Sequence, residues 1–384
     1  MKLIVTHPYC WPHVRRGSER YIQGLTRYMH GRGHEVAMLS THPEGGRIEN
    51  TEGGKRILFS PRSRPWMKHI RLDETHLFYF TARRALSEMQ ADAVHSVFYI
   101  DTVAATRTKP QHRGKVVMQL NGVAVGGVSC HRWFPPEGRL FAEAMRCSDV
   151  RIACSNFIRE QGLEHYRQDS LFIPPPIDID DFPFGPGATD RPTLLAVADF
   201  TVRRKGVRVL VKAFALVKQQ VPDAVLLLSG RMTDELQSEL LRDLPDQVRN
   251  DTRVLGLGNP GDVSRQYAAA SVMVLPSMWE PSGGALLESL ACGTPVVVAN
   301  HGGVPEYVAP GTGVLFDPRS NGEETQNAEG LSDAILEALK LSELPETRGL
   351  CRAHAERHSW KALGPRYEAV YMTQSVSEAV HHAS

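Results

Sequence analysis

The sequence predicts an α/β protein made of two doubly wound, Rossmann-like domains. Apolar strand-like runs alternate with helical runs along the 384 residues, which favours parallel sheets covered by helices. A chain of this length is longer than one hydrophobic core usually serves. The triple proline at 174–176, with further prolines at 183, 186 and 192, cannot continue a helix and is typical of a connector between domains.

Strands are predicted on both sides of this connector. The first series comprises Leu3–Thr6, Glu35–Leu39, Ala93–Val97, Val116–Leu120, Val150–Ala153 and Leu171–Ile173. The second comprises Thr193–Val197, Ala224–Ser229, Arg253–Leu255, Val272–Leu275, Pro295–Ala299 and Gly313–Phe316. Helical patterns cover Ser18–His30, Val207–Val217, Asp333–Leu341 and Trp360–Met372. Because doubly wound sheets bind ligands at the carboxyl ends of their strands, we expect the two domains to face each other across a cleft.

Composition and charge exclude several classes of protein. The formal net charge is +1, which argues against a nucleic-acid-binding protein that works by bulk charge. The six cysteines form no Cys-x-x-Cys pair and no disulfide framework, which is typical of reduced cysteines in the cytoplasm. The N-terminal apolar run is too short for a signal peptide, and no run approaches the ~18 apolar residues of a membrane span. We therefore expect a soluble, cytoplasmic protein.

Glu280–Glu288 is the most informative stretch of the chain. It follows the strand Val272–Leu275 and holds a Ser-Gly-Gly turn before a helix, so backbone N–H groups stand at a helix N-terminus and favour a phosphate. The two carboxylates do not belong beside a phosphate, and ribose and sugar hydroxyls would serve both. The stretch predicts a nucleotide-sugar pocket. The alternative is that Glu280 is a loop charge and Glu288 only caps the helix.

Two further segments favour the same interpretation. Arg203-Arg204-Lys205-Gly206 follows the first strand of the second domain, where a lysine and an arginine can hold a diphosphate and the glycine lets the backbone approach. The alternative is a solvated basic turn. Gly17 stands at the start of the first helix, where a larger side chain would obstruct a ligand, and Ser18 is a candidate N-cap.

These motifs resemble those of the retaining glycosyltransferases of family 4, which have the GT-B fold. The resemblance spans nearly the whole chain and is strongest from 193 to 317. It rests on Gly17-Ser-Glu19, Arg204-Lys-Gly206, the Glu280 to Glu288 unit, Ala291-Cys-Gly-Thr-Pro-Val296, His301-Gly-Gly-Val-Pro-Glu306 and Gly311-Thr-Gly313. It implies a Rossmann-like acceptor-binding domain over residues 1–176, a nucleotide-sugar-binding domain over 177–365 and a C-terminal helix over 366–384 that crosses back to the first domain.

The resemblance also implies roles for the residues of the donor site. Lys205 would hold the donor diphosphate and Glu288 the ribose hydroxyls, while Gly17 would line the first-domain side of the diphosphate site. Glu280 would meet the donor sugar and phosphate, together with the loop and helix start formed by Ser282, Gly283, Gly284, Ala285 and Leu286.

The chain departs from the family pattern at two positions. Asp199 stands where the family usually carries an arginine, and since an anion cannot hold a diphosphate we expect Arg203 or Arg204 to take over that role. Asn121 stands where many members have a histidine near the donor sugar, and it can hydrogen-bond a hydroxyl but cannot accept a proton. Four histidines are candidate substitutes, each interpreted first as structural or exposed: His7, His13, His95 and His131.

Two motifs point to different chemistries. Asp178-Ile-Asp180 spells a metal-binding Asp-x-Asp, but it follows the triple proline rather than a strand within a sheet, so we expect no obligatory metal. Gly256-Leu-Gly-Asn-Pro-Gly261 matches the dinucleotide fingerprint, which makes an NAD-dependent dehydrogenase one alternative, although Pro260 removes an N–H donor from the turn. A nucleotide-sugar epimerase of the same fold is a second alternative, and a sugar-nucleotide-binding protein without activity is a third.

The motifs and the family resemblance together imply a hexosyltransferase that needs no metal or cofactor, with Glu280, Lys205 and Asn121 as catalytic residues, and the resemblance implies that the anomeric configuration is retained. Its donor is a nucleotide-diphosphate sugar, UDP preferred, and its acceptor is a small molecule with a hydroxyl, such as a natural-product aglycone or an aminocyclitol. The aromatic and basic loop His7–Arg16 suits such an acceptor. Over residues 62–72 basic and apolar side chains interleave, and an ordinary amphipathic helix is preferred there to contact with an anionic membrane surface.

Overall fold

The structure, a computed structural model, describes residues 1–14, 16–61, 74–124, 135–187, 190–319 and 327–373. The chain divides into two compact units. The first comprises Met1–Pro176 together with the chain from Trp360 onward, and the second is Ile177–Ser359. Each unit is a mainly parallel sheet covered by helices, which confirms the predicted α/β class.

The first unit has an eight-stranded sheet. Its strands are β1 (Lys2–Thr6), β2 (Glu35–Thr41), β3 (Arg47–Thr51), β4 (Gly54–Phe59), β5 (Ala93–Ser96), β6 (Lys115–Leu120), β7 (Val150–Ala153) and β8 (Leu171–Phe172). Its helices are α1 (Gly17–Gly31), α2 (Glu74–Ser87), α3 (Tyr99–Arg107), α4 (Lys109–His112), α5 (Pro135–Cys147), α6 (Asn156–Tyr166) and α14 (Trp360–Met372). The strand order is β3-β4-β2-β1-β5-β6-β7-β8, and β3 and β4 form an antiparallel hairpin. The order reverses between β1 and β5, where a doubly wound sheet opens its ligand crevice.

The C-terminal helix α14 packs on α1 within the first unit. The Trp360 ring stacks against the rings of Tyr21 and Tyr28, with centroids 5.8 and 5.7 Å away. A Cβ at Gly24 would lie 2.1 Å from Trp360 Nε1, so only glycine allows this approach. The boundary between the units therefore lies between 359 and 360 rather than at the predicted 365, because the contacts with α1 begin at the first residue of α14.

The second unit has a six-stranded parallel sheet. Its strands are β9 (Thr193–Val197), β10 (Val225–Ser229), β11 (Thr252–Gly256), β12 (Val272–Leu275), β13 (Val296–Ala299) and β14 (Gly313–Phe316). Its helices are α7 (Val207–Gln220), α8 (Asp234–Arg242), α9 (Asp246–Asn250), α10 (Pro260–Ala269), α11 (Gly284–Ala291), α12 (Ala328–Ser342) and α13 (Thr347–Glu356). The order β11-β10-β9-β12-β13-β14 reverses between β9 and β12, which places the ligand crevice at their carboxyl ends.

The predicted strands are all present, and the main difference is the β3–β4 hairpin, which the sequence pattern did not predict. The helical stripe predicted after β9 is buried in the core of the second unit along one face of α7: Val207, Leu210, Val211, Phe214 and Val217. This face seats α7 on the sheet and so sets where its N-terminus meets the loop after β9.

Candidate functional site

Two loops meet where the strand order of the second sheet reverses. The loops 198–206 and 276–283 follow the neighbouring parallel strands β9 and β12, so they leave the same edge of the sheet. Met278 N donates a hydrogen bond to Arg204 O over 2.8 Å and joins the loops. Gly206 permits this approach, because its φ is +69° and a Cβ there would lie 2.1 Å from Pro276 O.

Three charged side chains from these loops form one cluster. Lys205 Nζ lies 2.5 Å from Glu280 Oε1, and Arg204 Nη1 lies 2.9 Å from Glu280 Oε2. Arg204 also donates to Trp279 O over 3.0 Å, and its guanidinium lies 4.9 Å from the centre of the Trp279 ring. Burial of Glu280 opposes its ionisation, but the charges of Lys205 and Arg204 outweigh burial and hold its pKa below the usual value.

The cluster gives Glu280 partners that the sequence did not predict. The sequence suggested ribose and sugar hydroxyls as partners for this carboxylate, and such a contact stays a prediction, whereas both of its oxygens are bound to cations in the structure. The pairing has a physical reason, since Glu280 is only 7% exposed and a buried carboxylate requires a compensating charge. Two cations against one carboxylate leave a positive charge in excess, and that excess suits an anionic ligand.

The N-terminus of α11 lies in the same loop as Glu280. Gly283 is the N-cap and Gly284 the first helical residue, so the first-turn N–H groups have no helical carbonyl to bind. A Cβ at Gly283 would lie 2.9 Å from the Tyr307 ring, whereas a Cβ at Gly284 would meet no atom of the described chain within 4 Å. Space for a ligand is therefore open over Gly284. The other predicted contacts here are Ser282 and Ala285, which are half-buried, and Leu286, which is fully buried and offers only its backbone.

The loop after β13 fixes the backbone of Glu280. Gly303 N donates to Glu280 O over 2.7 Å. Gly302 has a φ of +81°, and a Cβ there would lie 2.6 Å from Glu280 O, so a side chain would separate the two loops. The sequence showed this glycine pair as a motif, but its role in holding Glu280 becomes apparent only from the pairing of the two loops.

Glu288 lies one turn into α11 and is half-buried. It accepts a hydrogen bond from Tyr267 Oη over 3.3 Å. The other end of α11 is held by α13, where Arg348 Nη2 and Arg352 Nη1 donate to the carbonyls of Cys292 and Ala291 over 3.0 and 2.9 Å. Sequence reasoning missed both arginines, because it did not predict α13 as a helix.

The structure distinguishes the two candidates for the missing family arginine. Arg204 joins the Glu280 cluster, whereas the side chain of Arg203 is exposed. Asp199 accepts a hydrogen bond from Thr201 Oγ1 over 2.5 Å and lies 3.8 Å from Arg231, a residue that sequence reasoning did not single out.

Gly17 and Asn121 belong to the first unit. Gly17 is the first residue of α1, and Asn121 directly follows β6 and is half-buried. Ser18 is not the N-cap that the sequence suggested, since Arg16 takes that position and Ser18 Oγ donates instead to Glu19 Oε2 over 3.1 Å. A contact of Gly17 or Asn121 with a donor stays a prediction.

Two of the candidate histidines of the first unit, His7 and His95, are buried, and His13 is exposed. His95 is buried with its ring nitrogens 3.2 Å from Tyr21 Oη and 3.0 Å from Tyr371 Oη. Burial lowers the pKa of His95 to about 3 and that of buried His7 to about 4, so neither suits proton transfer at neutral pH. The His13 ring lies 4.9 Å from the His42 ring, and His131 lies outside the described residues.

The remaining motifs do not form sites of their own. Asp180 lies in the short 3₁₀ turn Ile179–Asp181, and the described residues hold no group of three His, Cys, Asp or Glu side chains that could bind a metal ion. The need for no metal stays a prediction. Gly256 ends β11, the outermost strand of its sheet, away from the point where the strand order reverses, which argues against a dinucleotide at this motif.

The membrane-related predictions are tested only in part. Residues 62–72 lie outside the described residues. Within the described ranges, no helix combines the length and apolar character that crossing a membrane requires.

Comparison with known proteins identifies matches in both halves of the chain. The model for glycosyl transferases group 1 matches residues 178–349, and the model for glycosyltransferase family 4 matches residues 15–181. The chain is 31% identical over 199 residues to a GDP-mannose-dependent monoacylated alpha-(1-6)-phosphatidylinositol monomannoside mannosyltransferase from Corynebacterium glutamicum, a match that covers 49% of each protein. It is 25% identical over 355 residues to a D-inositol 3-phosphate glycosyltransferase from Pseudarthrobacter chlorophenolicus, with 83% of this chain and 82% of that protein covered.

A solved structure shows the same fold. Sucrose-phosphate synthase from Thermosynechococcus elongatus superposes with a TM-score of 0.77 at 21% identity, over 96% of this chain and 98% of that one. The two family models together reach from residue 15 to residue 349. The two relatives named above are a mannosyltransferase and a glycosyltransferase. The chain therefore belongs to family 4 of the glycosyltransferases and is a transferase with the GT-B fold.

Proposed function

We propose that the chain transfers a hexose from a nucleotide-diphosphate donor, with UDP preferred, to a hydroxyl of a small acceptor, and that the anomeric configuration is retained. One observation carries the proposal: Lys205, Arg204 and the N-terminus of α11 converge where the strand order of the second sheet reverses. Two cations and a helix N-terminus at such a point suit a diphosphate.

Each part of the donor has a partner in this arrangement. The diphosphate lies over Gly284, against the first-turn N–H groups of α11 and the ammonium of Lys205. Glu288 accepts hydrogen bonds from the ribose hydroxyls, and the hydrogen bond from Tyr267 orients its carboxylate. Because Lys205 and the helix N-terminus already oppose the diphosphate charge, the proposal includes no metal ion.

The bond between the sugar and the diphosphate breaks as negative charge grows on the departing phosphate. Lys205 and the N–H groups of α11 stabilise that charge, and removing one such preorganised donor typically costs ~100–1000-fold in rate. Glu280 is a poor candidate for a nucleophile, because both of its oxygens are bound to cations. We therefore propose attack from the face that the diphosphate leaves, with a phosphate oxygen taking the acceptor proton and Asn121 binding a sugar hydroxyl.

The proposed acceptor is a small polyhydroxylated ring of the cyclitol type. Two similar proteins are named for phosphatidylinositol monomannoside and D-inositol 3-phosphate, and inositol is a cyclitol. This supports an aminocyclitol or related cyclitol over a natural-product aglycone. The loop after β1 offers aromatic faces held by cations, since Arg16 lies 5.3 Å from the ring centre of Tyr9 and Arg20 lies 4.8 Å from that of Trp11.

A thermal-shift panel with UDP, GDP, ADP, dTDP and NAD, each with and without magnesium, tests the donor class. A ligand at 100 times its dissociation constant should stabilise the protein by roughly 2.7 kcal/mol. We expect a shift with one nucleoside diphosphate that does not depend on magnesium and disappears in Glu288→Ala. The exposed α12 residue Glu337 provides the matched control, Glu337→Ala. A shift with NAD alone would support the alternative that the protein is an NAD-dependent dehydrogenase.

Nucleotide release with the matching sugar donor tests catalysis. Release that requires a cyclitol acceptor supports the transferase. Altered nucleotide sugar without any acceptor would indicate the epimerase, and binding without turnover would indicate a non-catalytic protein.

A further inference from the structure

A third loop reaches the carboxyl edge of the second sheet beside the Lys205 loop. Strand β10 is the parallel neighbour of β9, with Ser229 paired to Val197. The segments that follow β9 and β10 remain hydrogen-bonded to each other. Ala198 N donates to Ser229 O over 3.1 Å, and Phe200 N donates to Arg231 O over 2.9 Å. The backbone of Arg231 is therefore held against the loop that carries Lys205.

Gly230 makes this close approach between the loops possible. Its φ is +144°, and a Cβ there would lie 1.8 Å from Ala198 O. Any side chain at this position would separate the two loops and move Arg231 away. The position of Arg231 is thus fixed by backbone geometry, although its side chain is 64% exposed.

Asp199 faces Arg231 and is itself held in place. One of its oxygens accepts hydrogen bonds from Thr201 Oγ1 and Thr201 N over 2.5 and 3.2 Å. The other lies 3.8 Å from Arg231 Nη1. A pair this long and this exposed is weak, so it can orient the guanidinium without preventing it from binding another anion.

The charges of the three loops show what Arg231 adds. Over residues 198–206, 230–233 and 276–283 the chain carries four cationic side chains and two anionic ones. Glu280 neutralises one of the two positive charges of Arg204 and Lys205, and Asp199 would repel a diphosphate if it stood alone. Arg231 cancels the charge of Asp199 and presents a guanidinium that can bind two phosphate oxygens at once.

We propose that Arg231 binds the donor diphosphate and that Asp199 is its positioning residue. The proposal rests on the proposed function, because it assumes a nucleoside-diphosphate donor at this edge of the sheet. It transfers to the β10 loop a task that the sequence had suggested for Arg203 or Arg204. Arg204 is engaged by Glu280 and Trp279, whereas Arg231 has a weak ion pair with Asp199 and a backbone held against the Lys205 loop.

The test compares the binding of UDP, UMP and uridine by isothermal titration calorimetry, with the guanosine series used in addition. In Arg231→Ala we expect UDP affinity to fall about tenfold or more and uridine affinity to stay within about twofold, because one charge-assisted contact to phosphate is lost. Arg242→Ala, an exposed arginine of α8, is the matched control and should bind all three like the wild type.

The double variant Asp199→Arg with Arg231→Ala separates charge from structure. The arginine introduced at position 199, in the loop after β9, places a guanidinium at the same carboxyl edge of the sheet. We therefore expect most of the UDP affinity to return. Equal losses for UDP and uridine, or a loss that Asp199→Arg does not rescue, would show that Arg231 is structural and overturn the proposal. UDP affinity in Arg231→Ala within twofold of the wild type would also overturn it. If the wild type binds no nucleoside diphosphate, the proposed function itself fails, and the inference fails with it.

Discussion

Gly206 allows the two loops that carry the charged cluster to approach each other, and Gly206→Ala should separate them. Its φ of +69° lies in the left-handed region, which costs a residue with a Cβ ~1–2 kcal/mol. The new Cβ would also lie 2.1 Å from Pro276 O, a backbone atom that cannot rotate away. The loops must then move apart, and the hydrogen bond from Met278 N to Arg204 O is the contact that breaks first.

The expected loss of stability follows from these two effects. Arg204 and Met278 are half-buried, and losing a hydrogen bond typically costs ~0.5–1.5 kcal/mol, so together with the backbone strain the variant should lose about 2.5 kcal/mol of unfolding free energy. For a domain of this size each kcal/mol lowers Tm by roughly 2–4 °C, which predicts a fall of roughly 5–10 °C. Urea unfolding and calorimetry measure both quantities.

Gly284→Ala is the matched control for this prediction. A Cβ at Gly284 meets no described atom within 4 Å, and alanine favours the helix by up to ~1 kcal/mol, so stability should stay level or rise. The methyl would nevertheless occupy the open space where we place the diphosphate, and nucleotide binding should weaken. If the unfolding free energy of Gly206→Ala lies within about 0.5 kcal/mol of the wild-type value, glycine is not required for this pairing of the loops.

Three further predictions concern charge. Lys205→Ala should lower the turnover rate ~100–1000-fold while Tm changes little. Arg204→Ala should lower Tm more, because it removes the hydrogen bond to Trp279 O and the contact with the Trp279 ring as well as one partner of Glu280; equal effects on Tm would contradict this. Arg352→Ala removes hydrogen bonds to the end of α11 and to Phe182 O, so urea unfolding should show a loss of about 2 kcal/mol, and a loss below 0.5 would contradict it. His95→Gln should flatten the pH dependence of stability. Burial lowers the pKa of His95 to about 3, so below pH 6.5 the unfolded chain binds a proton that the folded chain does not, and stability is lost as pH falls. Between pH 7.5 and 5.5 the wild type should lose about 1.4 kcal/mol more than the variant; equal slopes would contradict this. Burial raises the pKa of Asp101 to about 7 and acts in the opposite direction, so the slopes of the two proteins are compared rather than the absolute values.

The strands that form the two sheet interiors were predictable because their apolar runs are continuous. β12 and β13 are buried at every residue, as expected for parallel strands covered on both faces. The β3–β4 hairpin was not predictable in the same way. β3 lies at the edge of its sheet and none of its five residues is buried, so its sequence carries no apolar period.

The candidate site was predictable to the level of loops but not of side-chain pairs. Lys205 and Glu280 could be placed near each other because both follow parallel strands that end at one edge of a sheet. Their ion pair depends on how two irregular loops turn, and no sequence period encodes that. The pairing of Asp199 with Arg231 requires knowing that β9 and β10 are neighbours, which single-sequence patterns leave open.

The surroundings of Arg204 and Lys205 indicate different tasks for two adjacent cations. Arg204 is fixed three times, by Glu280, by Trp279 O and by the Trp279 ring, so moving it would break several contacts at once. Lys205 contacts Glu280 through a flexible chain and a single ammonium, which can turn toward a ligand without a change of backbone. If a diphosphate draws Lys205 away, Arg204 still neutralises the buried carboxylate, and that is why one carboxylate with two cations can serve both stability and anion binding.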